Sequence, residues 1–453
     1  MKLIYGVKDK PKFGQLIVFA LQQLLAILAA TIAVPAIIGN GMSQSAALFG
    51  AGVGTIVYLL FTKFKSPVFL GSSFAFLGSM SAAFAGGVSA SVGYLGLIIG
   101  AAFAALVYVI IALIVKFAGV RWITKLMPAV VIGPTVAIIG LSLAGNAVGD
   151  AISGAKNASG AFAMDAHSIA CLVCALITLA VVTLCSVYGK KMMKLIPFVI
   201  GILAGYAAAA IFTGIGTAAD IEAFKIVDFS KFSNMQWYPD FTFVKAFSGN
   251  YDFADGNIGT YIGTIAVAYI PVAFVVFAEH IADHKNLSSI IEQDLLENPG
   301  LHRTLLGDGV GSFVGALFGG CPNTTYGESV GCVAITGNAS VMTIFTTAIL
   351  AMLISFFAPF VTFLSTIPSC VMGGVCITLY GFIAVSGLKM LQNVDLGDNR
   401  NLFVASTILI TGVGGMALGF GKITLTSVAT ALILGILVNL MLNGKKNKDG
   451  KAE

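Results

Sequence analysis

The chain has 453 residues, of which 58% are hydrophobic and only 10% are charged. Soluble domains carry about 25% charged residues, so this composition excludes a soluble globular protein and predicts a polytopic membrane protein. The net charge of +5 needs no nucleic-acid partner, because membrane proteins concentrate Lys and Arg in their cytoplasmic loops.

Apolar stretches punctuated by Gly, Pro and charge follow one another along the chain. Most have the ~17 to 25 residues that a helix needs to cross the hydrocarbon layer. The predicted spans are residues 13–39, 44–62, 67–86, 92–116, 128–148, 166–188, 195–215, 258–282, 303–320, 324–337, 339–365, 368–388, 400–420 and 423–442. We therefore expect about fourteen helical spans.

The distribution of basic residues supports this count. If the N-terminus is cytoplasmic, alternating loops place 20 of the 25 Lys and Arg residues inside, which is the asymmetry expected of cytoplasmic loops. The remaining five are Lys156, Lys225, Lys231, Lys245 and Lys422. The pattern predicts a multi-pass protein of the cytoplasmic membrane with both termini in the cytoplasm.

The longest polar connection, residues 214–256, divides the predicted spans into seven and seven. Two halves with an odd number of spans must be inverted relative to each other, an arrangement in which substrate sites form at the midplane. The third span of each half is a short segment opened by a proline, at Pro67 and Pro322. We expect the third and tenth spans to be interrupted by short extended segments.

The polar run Gly320–Glu328 is the second of these segments. Irregular polar sequence at membrane depth is tolerated only where protein encloses it or where it lines a cavity. Helices that begin there, near Gly327 in this case, point free N–H groups at the midplane. The alternative is that both segments are merely kinked helices.

Two carboxylates lie at membrane depth, Glu279 and Glu328. Each needs a partner or a proton, because an isolated charge there costs at least about 2.5 to 3.5 kcal/mol. They either face a cavity or hold helices together. Asp283 shares a helix face with Glu279 at i, i+4, unless it is an ordinary solvated residue at the helix end.

Histidines and cysteines suggest no metal site. His280 and His284 point away from the face of the acids, and Cys171 and Cys174 suit small buried apolar side chains. We expect neither a metal nor another cofactor. We find no nucleophile and base pair that would indicate an enzyme.

Aromatic rings flank both broken segments, at Phe74 and Tyr326. Rings beside polar backbone suit a flat, ring-shaped solute, although single aromatic residues more often fill the core. We add Ser73, beside Phe74, to the candidate substrate-binding residues.

Four runs of the chain resemble the nucleobase-ascorbate transporter family, most of all its bacterial uracil permeases. They are Phe69–Phe76, Ala278–His280, Pro299–Arg303 and Pro322–Glu328. The family signature is met by Glu328, Gly331, Thr336 and Gly337, with Ser329 where Asn is usual.

The resemblance implies fourteen spans in two inverted repeats, a homodimer, and a core domain that moves against a gate domain. The implied ranges are 1–126 and 258–366 for the core and 127–257 and 367–453 for the gate. It also implies that Glu279, Glu328 and the backbone at Phe74 and Gly327 hydrogen-bond uracil, while the rings of Phe74 and Tyr326 pack on the base.

Two positions depart from the uracil branch: Asp283 stands where His can occur, and Gln22-Gln23 where a Gln-His pair can occur. We expect Glu279 and Asp283 to couple transport to protons together. The resulting prediction is a proton-coupled uracil symporter. A purine or xanthine carrier of the same fold and, from another class, a channel are the alternatives.

Overall fold

The computed structural model describes residues 3–119, 121–157, 159–190, 192–254, 257–420 and 423–443. Lys422, expected on the outer side of the membrane, and the tail after residue 443, expected in the cytoplasm, fall outside these ranges. The helices of the first half are α1 Phe13–Ile38, α2 Gln44–Phe61, α3 Leu77–Ala83, α4 Ala90–Ala118, α5 Arg121–Leu126, α6 Ala129–Ser142, α7 Ala144–Ile152, α8 Ala166–Tyr188, α9 Met192–Leu195, α10 Pro197–Ala218 and α11 Thr242–Phe247.

The second half continues with helices of similar length. They are α12 Ile258–Ile291, α13 Leu301–Gly319, α14 Gly327–Thr336, α15 Val341–Ile354, α16 Ala358–Thr366, α17 Ser369–Met390, α18 Asn399–Val413 and α19 Ser427–Asn443. The described residues also form four short strands: β1 Leu70–Ser72, β2 Asn323–Thr325, β3 Leu418–Phe420 and β4 Ile423–Leu425. Short 3-10 helices lie at Phe74–Phe76, Glu222–Phe224, Phe229–Asn234 and Leu391–Asn393, and a π-helical turn at Leu296–Gly300.

Within the described ranges, eight helices are long and apolar enough to cross a membrane. The count rises to nine if α15 and α16, which meet at an angle of 83°, form one bent span. The multi-pass helical prediction is confirmed at this level. The other predicted spans coincide with helices that are shorter, broken or less apolar, so the count of fourteen stays a prediction.

The two predicted extended segments are strands, and they pair with each other. β1 runs antiparallel to β2, with Gly71 opposite Thr324. One further bond at each end lengthens the pair, from Ser73 N to Pro322 O at 2.9 Å and from Tyr326 N to Phe69 O at 3.2 Å. These bonds satisfy backbone groups that a broken helix would otherwise leave unpaired inside a membrane protein.

The helices pack in two groups. One group contains α1 to α4 and α11 to α16, and the other contains α6 to α10 and α17 to α19. Contacts within each group are extensive, whereas few join the groups, mainly from α12 to α6 and α19 and from α1 to α10. Both strands of the β1–β2 pair belong to the first group, since they contact α2, α12 and α13.

The long connection after α10 changes its attachment at Asp228. The N–H of Val227 still donates to Thr213 Oγ1 of α10, at 2.9 Å. Beyond Asp228, Lys231 Nζ donates to Ser365 O of α16, at 2.7 Å. Residues 229–254, which we name the strap, are therefore attached to the first group although they follow the second in sequence.

Aromatic packing fixes the strap more firmly. The ring of Phe241 lies 5.0 Å from that of Phe49 on α2 and 5.5 Å from that of Phe318 on α13, between ring centroids. Lys245 Nζ donates to Gly41 O at 2.6 Å, in the connection between α1 and α2. Aromatic pairs contribute about 0.5 to 1.5 kcal/mol each beyond the area they bury, so the strap is held by several independent contacts.

Candidate functional site

A cavity of about 360 Å³ lies between the two helix groups, within the usual size range of small-molecule sites. Its wall in the first group is formed by the 3-10 turn at Phe74–Phe76, α12, β2 and the start of α14. Its wall in the second group is mostly apolar, with Val136, Ile139, Phe198, Leu379, Phe382 and Ile383. The cavity is thus mainly polar on one side, and Ser386 of α17 adds one hydroxyl to the other side.

Three carboxylates face this cavity from two helices. Glu279 and Asp283 come from α12, and Glu328 comes from the first turn of α14. Their spacing of four residues places Glu279 and Asp283 on one face of α12. All three side chains are partly exposed, so the cavity reaches them. The structure therefore brings together the acids that the sequence placed at membrane depth.

The N-terminus of α14 opens onto the same cavity. The helix begins at Gly327, and no side chain caps it at Tyr326. The first N–H groups of a helix lack intrahelical partners and carry partial positive charge. Gly327 is exposed and lines the cavity, so a carbonyl oxygen of a bound molecule can reach the backbone there without meeting a side chain.

A hydrogen bond joins α12 to β2, the strand that leads into α14. Thr325 Oγ1 of β2 donates to Asp283 Oδ2 at 2.8 Å. A Cβ atom added to Gly327 would lie 3.8 Å from Asp283 Oδ1, which places this carboxylate beside the start of α14. Asp283 consequently lines the cavity and is not an ordinary solvated residue at a helix end, while its role in proton coupling stays a prediction.

The two predicted aromatic residues lie on either side of the strand pair. The ring of Phe74 packs edge to face against Tyr380 of α17, with centroids 5.7 Å apart. Tyr326 Oη donates to Ser72 O at 2.8 Å, and its ring occupies the space that a side chain at Gly71 would need. Both residues line the cavity, and these contacts fix the orientations of their rings.

Ser73 lies beside the site without lining its cavity. The side chain is 1% exposed, and its backbone N–H is already bonded to Pro322 O. Its assignment to substrate binding stays a prediction. The neighbouring Thr324 does line the cavity, and its buried hydroxyl has no hydrogen-bond partner within the described residues. Sequence reasoning singled out the extended segment but not this hydroxyl.

Ser329 occupies the signature position at which Asn is usual, and it ties α14 to the first broken segment. Its hydroxyl accepts the N–H of Phe69 at 3.0 Å and a bond from Gln23 Nε2 of α1. Gln23 stands where the uracil branch can carry His. Ser329 and Gln23, which both depart from the usual pattern, are therefore hydrogen-bond partners, and neither lines the cavity.

No group of three or more potential metal-ligating side chains is found among the described residues. A second cavity, of about 650 Å³, lies between the strap, the connection after α1 and α16. None of the predicted site residues lines it, so the chemistry singled out by the sequence is confined to the cavity between the helix groups.

Comparisons with known proteins show the family of the chain. A family model described as "Permease family", which covers xanthine and uracil permeases, matches residues 14–419. The uracil permease of Bacillus caldolyticus is 41% identical, with 98% of this chain and 96% of that protein covered. Those of Bacillus subtilis strain 168 and Escherichia coli K12 are 38% and 34% identical, with 99% and 96% of this chain and 97% and 93% of those proteins covered.

Solved structures share the fold at low identity. The transmembrane domain of a cyanobacterial bicarbonate transporter, BicA, has a TM-score of 0.61 at 15% identity and covers 96% of this chain and 99% of its own. The murine anion transporter Slc26a9 in its inward-facing state has a TM-score of 0.63 at 12% identity, with 96% of this chain and 69% of its own covered. These likenesses concern the architecture alone.

Proposed function

This chain belongs to the Permease family of xanthine and uracil permeases, and from that premise we propose that it takes up uracil together with protons as a secondary active transporter. As a permease it is a transporter and not an enzyme. The observation that carries the proposal is the convergence of Glu279, Glu328 and the start of α14 on one cavity.

The chemistry of the cavity complements uracil. The base offers two N–H donors and two carbonyl acceptors around a flat ring. Ionised carboxylates only accept hydrogen bonds, whereas backbone N–H groups only donate them. Glu279 and Glu328 accept from the two N–H groups in our proposal, and the backbone at Gly327 and Phe74 donates to the carbonyl oxygens. The rings of Phe74 and Tyr326 pack on the base.

The two helix groups suit alternating access. We assign the first group to the core and the second to the gate, so the polar wall of the cavity moves with the core against the apolar wall of the gate. We propose the boundary at Asp228 instead of 257, and the hydrogen bonds on either side of Asp228 support this choice. A structure of the opposite-facing state in which residues 229–254 stay with α8 and α10 would contradict this boundary.

Proton coupling is assigned to Glu279 and Asp283. One proton on these neighbouring acids reduces the repulsion between their charges. A neutral base accompanied by one proton moves one charge inward, so 100 mV of membrane potential contributes ~2.3 kcal/mol. That corresponds to roughly 50-fold accumulation of uracil.

Purified protein in vesicles tests the proposal. We expect labelled uracil to enter faster and accumulate when the outside is acidic, and a protonophore to abolish the accumulation. Vesicles without protein provide the background. Uptake of uracil that ignores the gradient would contradict the coupling, and an absence of uracil binding would contradict the substrate.

The two alternative functions predict different results in the same vesicles. A purine or xanthine carrier would take up labelled xanthine in preference to uracil. A channel would equilibrate the solute without accumulating it under any gradient. The carboxylates at Glu279 and Glu328 favour a proton-coupled carrier over a channel, and the similarity to proteins named uracil permease favours uracil over xanthine.

We propose the remaining architecture on the family resemblance. It comprises fourteen spans in two inverted repeats, a homodimer, and residence in the cytoplasmic membrane with both termini inside. The position of β1 and β2 at matching places in the two halves supports the repeat. A fusion of each terminus to a reporter active only in the cytoplasm checks the orientation.

A further inference from the structure

The face of α12 that points away from the cavity carries a second set of buried ionisable groups. His280 Nδ1 lies 2.7 Å from Asp308 Oδ2 of α13, and His280 Nε2 lies 3.0 Å from Thr304 Oγ1. All three residues are 0% exposed. The acids of the substrate cavity and this histidine therefore occupy adjacent positions of one helix but face different surroundings.

His284 repeats the arrangement one turn later. Its Nδ1–H donates to His280 O at 2.8 Å, and its Nε2 lies 2.7 Å from Tyr58 Oη of α2. Tyr58 Oη is in turn 2.7 Å from Ser66 Oγ, just before Pro67. The two imidazole rings stack with centroids 4.0 Å apart. Three hydrogen bonds from two consecutive turns thus join α12 to its neighbours.

The charge state of the first pair follows from its burial. An ionised Asp308 beside a neutral His280 would leave one uncompensated negative charge in the core, which is strongly unfavourable. One added proton makes the pair neutral. The hydrogen bonds accommodate it, because Thr304 Oγ1 can donate to Leu301 O, at 3.0 Å, while it accepts from His280 Nε2.

We infer that His280 and Asp308 are positioning residues, a buried pair holding one proton throughout the cycle, which fix the rotation of α12 so that Glu279 and Asp283 face the substrate. The inference rests on the proposed function. Consecutive residues of an α-helix point about 100° apart, so an anchor at His280 determines the direction of Glu279. A rotation of α12 by about 20° would move a side-chain tip by roughly 2 Å, given a helix radius of ~5 to 6 Å.

The uracil affinity of Asp308 variants measures the effect of losing this anchor. Asp308→Ala is expected to weaken uracil binding about tenfold or more, and Asp308→Asn, which keeps the shape and an acceptor for His280, is expected to restore it to within about threefold. The pH profile of uracil uptake should be the same for Asp308→Asn and the wild type, because the pair does not exchange its proton. Thr178→Val on α8, which removes a buried hydroxyl in the other helix group, should leave affinity unchanged.

The outcomes separate the possible roles. An Asp308→Ala protein that melts at lower temperature but binds uracil as the wild type does would overturn the inference in favour of a purely structural pair. A shifted pH profile in Asp308→Asn would overturn it in favour of a transported proton. If Asp308→Ala does not fold, Thr304→Val provides the same comparison with an isosteric change. A wild type that does not bind uracil rejects the proposed function itself, and the inference with it.

Discussion

Glu328→Gln is expected to weaken uracil binding by ~10- to 150-fold. Glu328 is partly exposed and lines the cavity from the first turn of α14, where its carboxylate accepts an N–H of the base in the proposed complex. Hydrogen bonds to charged groups contribute about 1.5 to 3 kcal/mol, and each 1.4 kcal/mol is a factor of ten. Glutamine keeps the shape but replaces one acceptor oxygen with a donor. Titration of the detergent-solubilised protein with uracil measures the change.

Glu297→Gln is the matched control, because Glu297 lies exposed in the turn before α13 and outside the cavity. Its affinity for uracil should equal that of the wild type. A Glu328→Gln protein that loses uracil but gains xanthine would show that this residue selects between pyrimidine and purine. Unchanged uracil affinity in Glu328→Gln would contradict the proposed site.

Asp283→Asn is expected to abolish gradient-driven accumulation while leaving uracil binding within about threefold. The amide oxygen of asparagine can still accept the hydrogen bond from Thr325 Oγ1, so the start of α14 stays in place. The side chain can no longer take up a proton at neutral pH. One pH unit across the membrane is ~1.4 kcal/mol, and the tenfold accumulation it drives should therefore disappear. Exchange of external labelled uracil for internal unlabelled uracil, which needs no net proton movement, should continue.

Asp220→Asn in the exposed connection after α10 makes the same chemical change away from the cavity, and it should accumulate uracil as the wild type does. Thr325→Val tests the hydrogen bond separately, since it leaves the Asp283 carboxylate in place. If Asp283→Asn still concentrates uracil under an acid-outside gradient, Asp283 is not required, and Glu279 alone would carry the proton.

Local signals in the sequence were sufficient to locate the broken segments and the acids. Pro67 and Pro322 cannot continue a helix, and the Asn and Thr residues after Pro322 favour extended backbone. A carboxylate in apolar sequence is costly enough to indicate a cavity wherever it occurs. Glu279 and Glu328 are therefore recognisable as candidates from the local sequence alone.

Contacts between distant segments could not be predicted in the same way. Asp308 lies on a glycine-rich helix, and nothing in the local pattern pairs it with His280. The bond from Thr325 to Asp283 depends on the register of β1 and β2, which three-residue strands do not specify. The attachment of the strap depends on rings of α2 and α13, which are distant in sequence, whereas its own sequence reads as an ordinary polar loop.

The span count illustrates a different limit. A length criterion recognises α12, with 34 residues, or α4, with 29. It does not recognise α3 and α14, with 7 and 10 residues, because their segments enter the membrane region as strands. The same interruption that forms the site makes its elements too short to count as spans.

The pairing of β1 with β2 also orders the biosynthesis of the protein. Ser72 is synthesised 251 residues before Asn323, its partner in the register. At ~5 to 20 residues per second, roughly 13 to 50 s separate the two on the ribosome. Throughout that interval β1 lacks the strand with which it pairs. The candidate site is therefore assembled late, when the second half of the chain arrives, and no fragment that ends before residue 323 contains it.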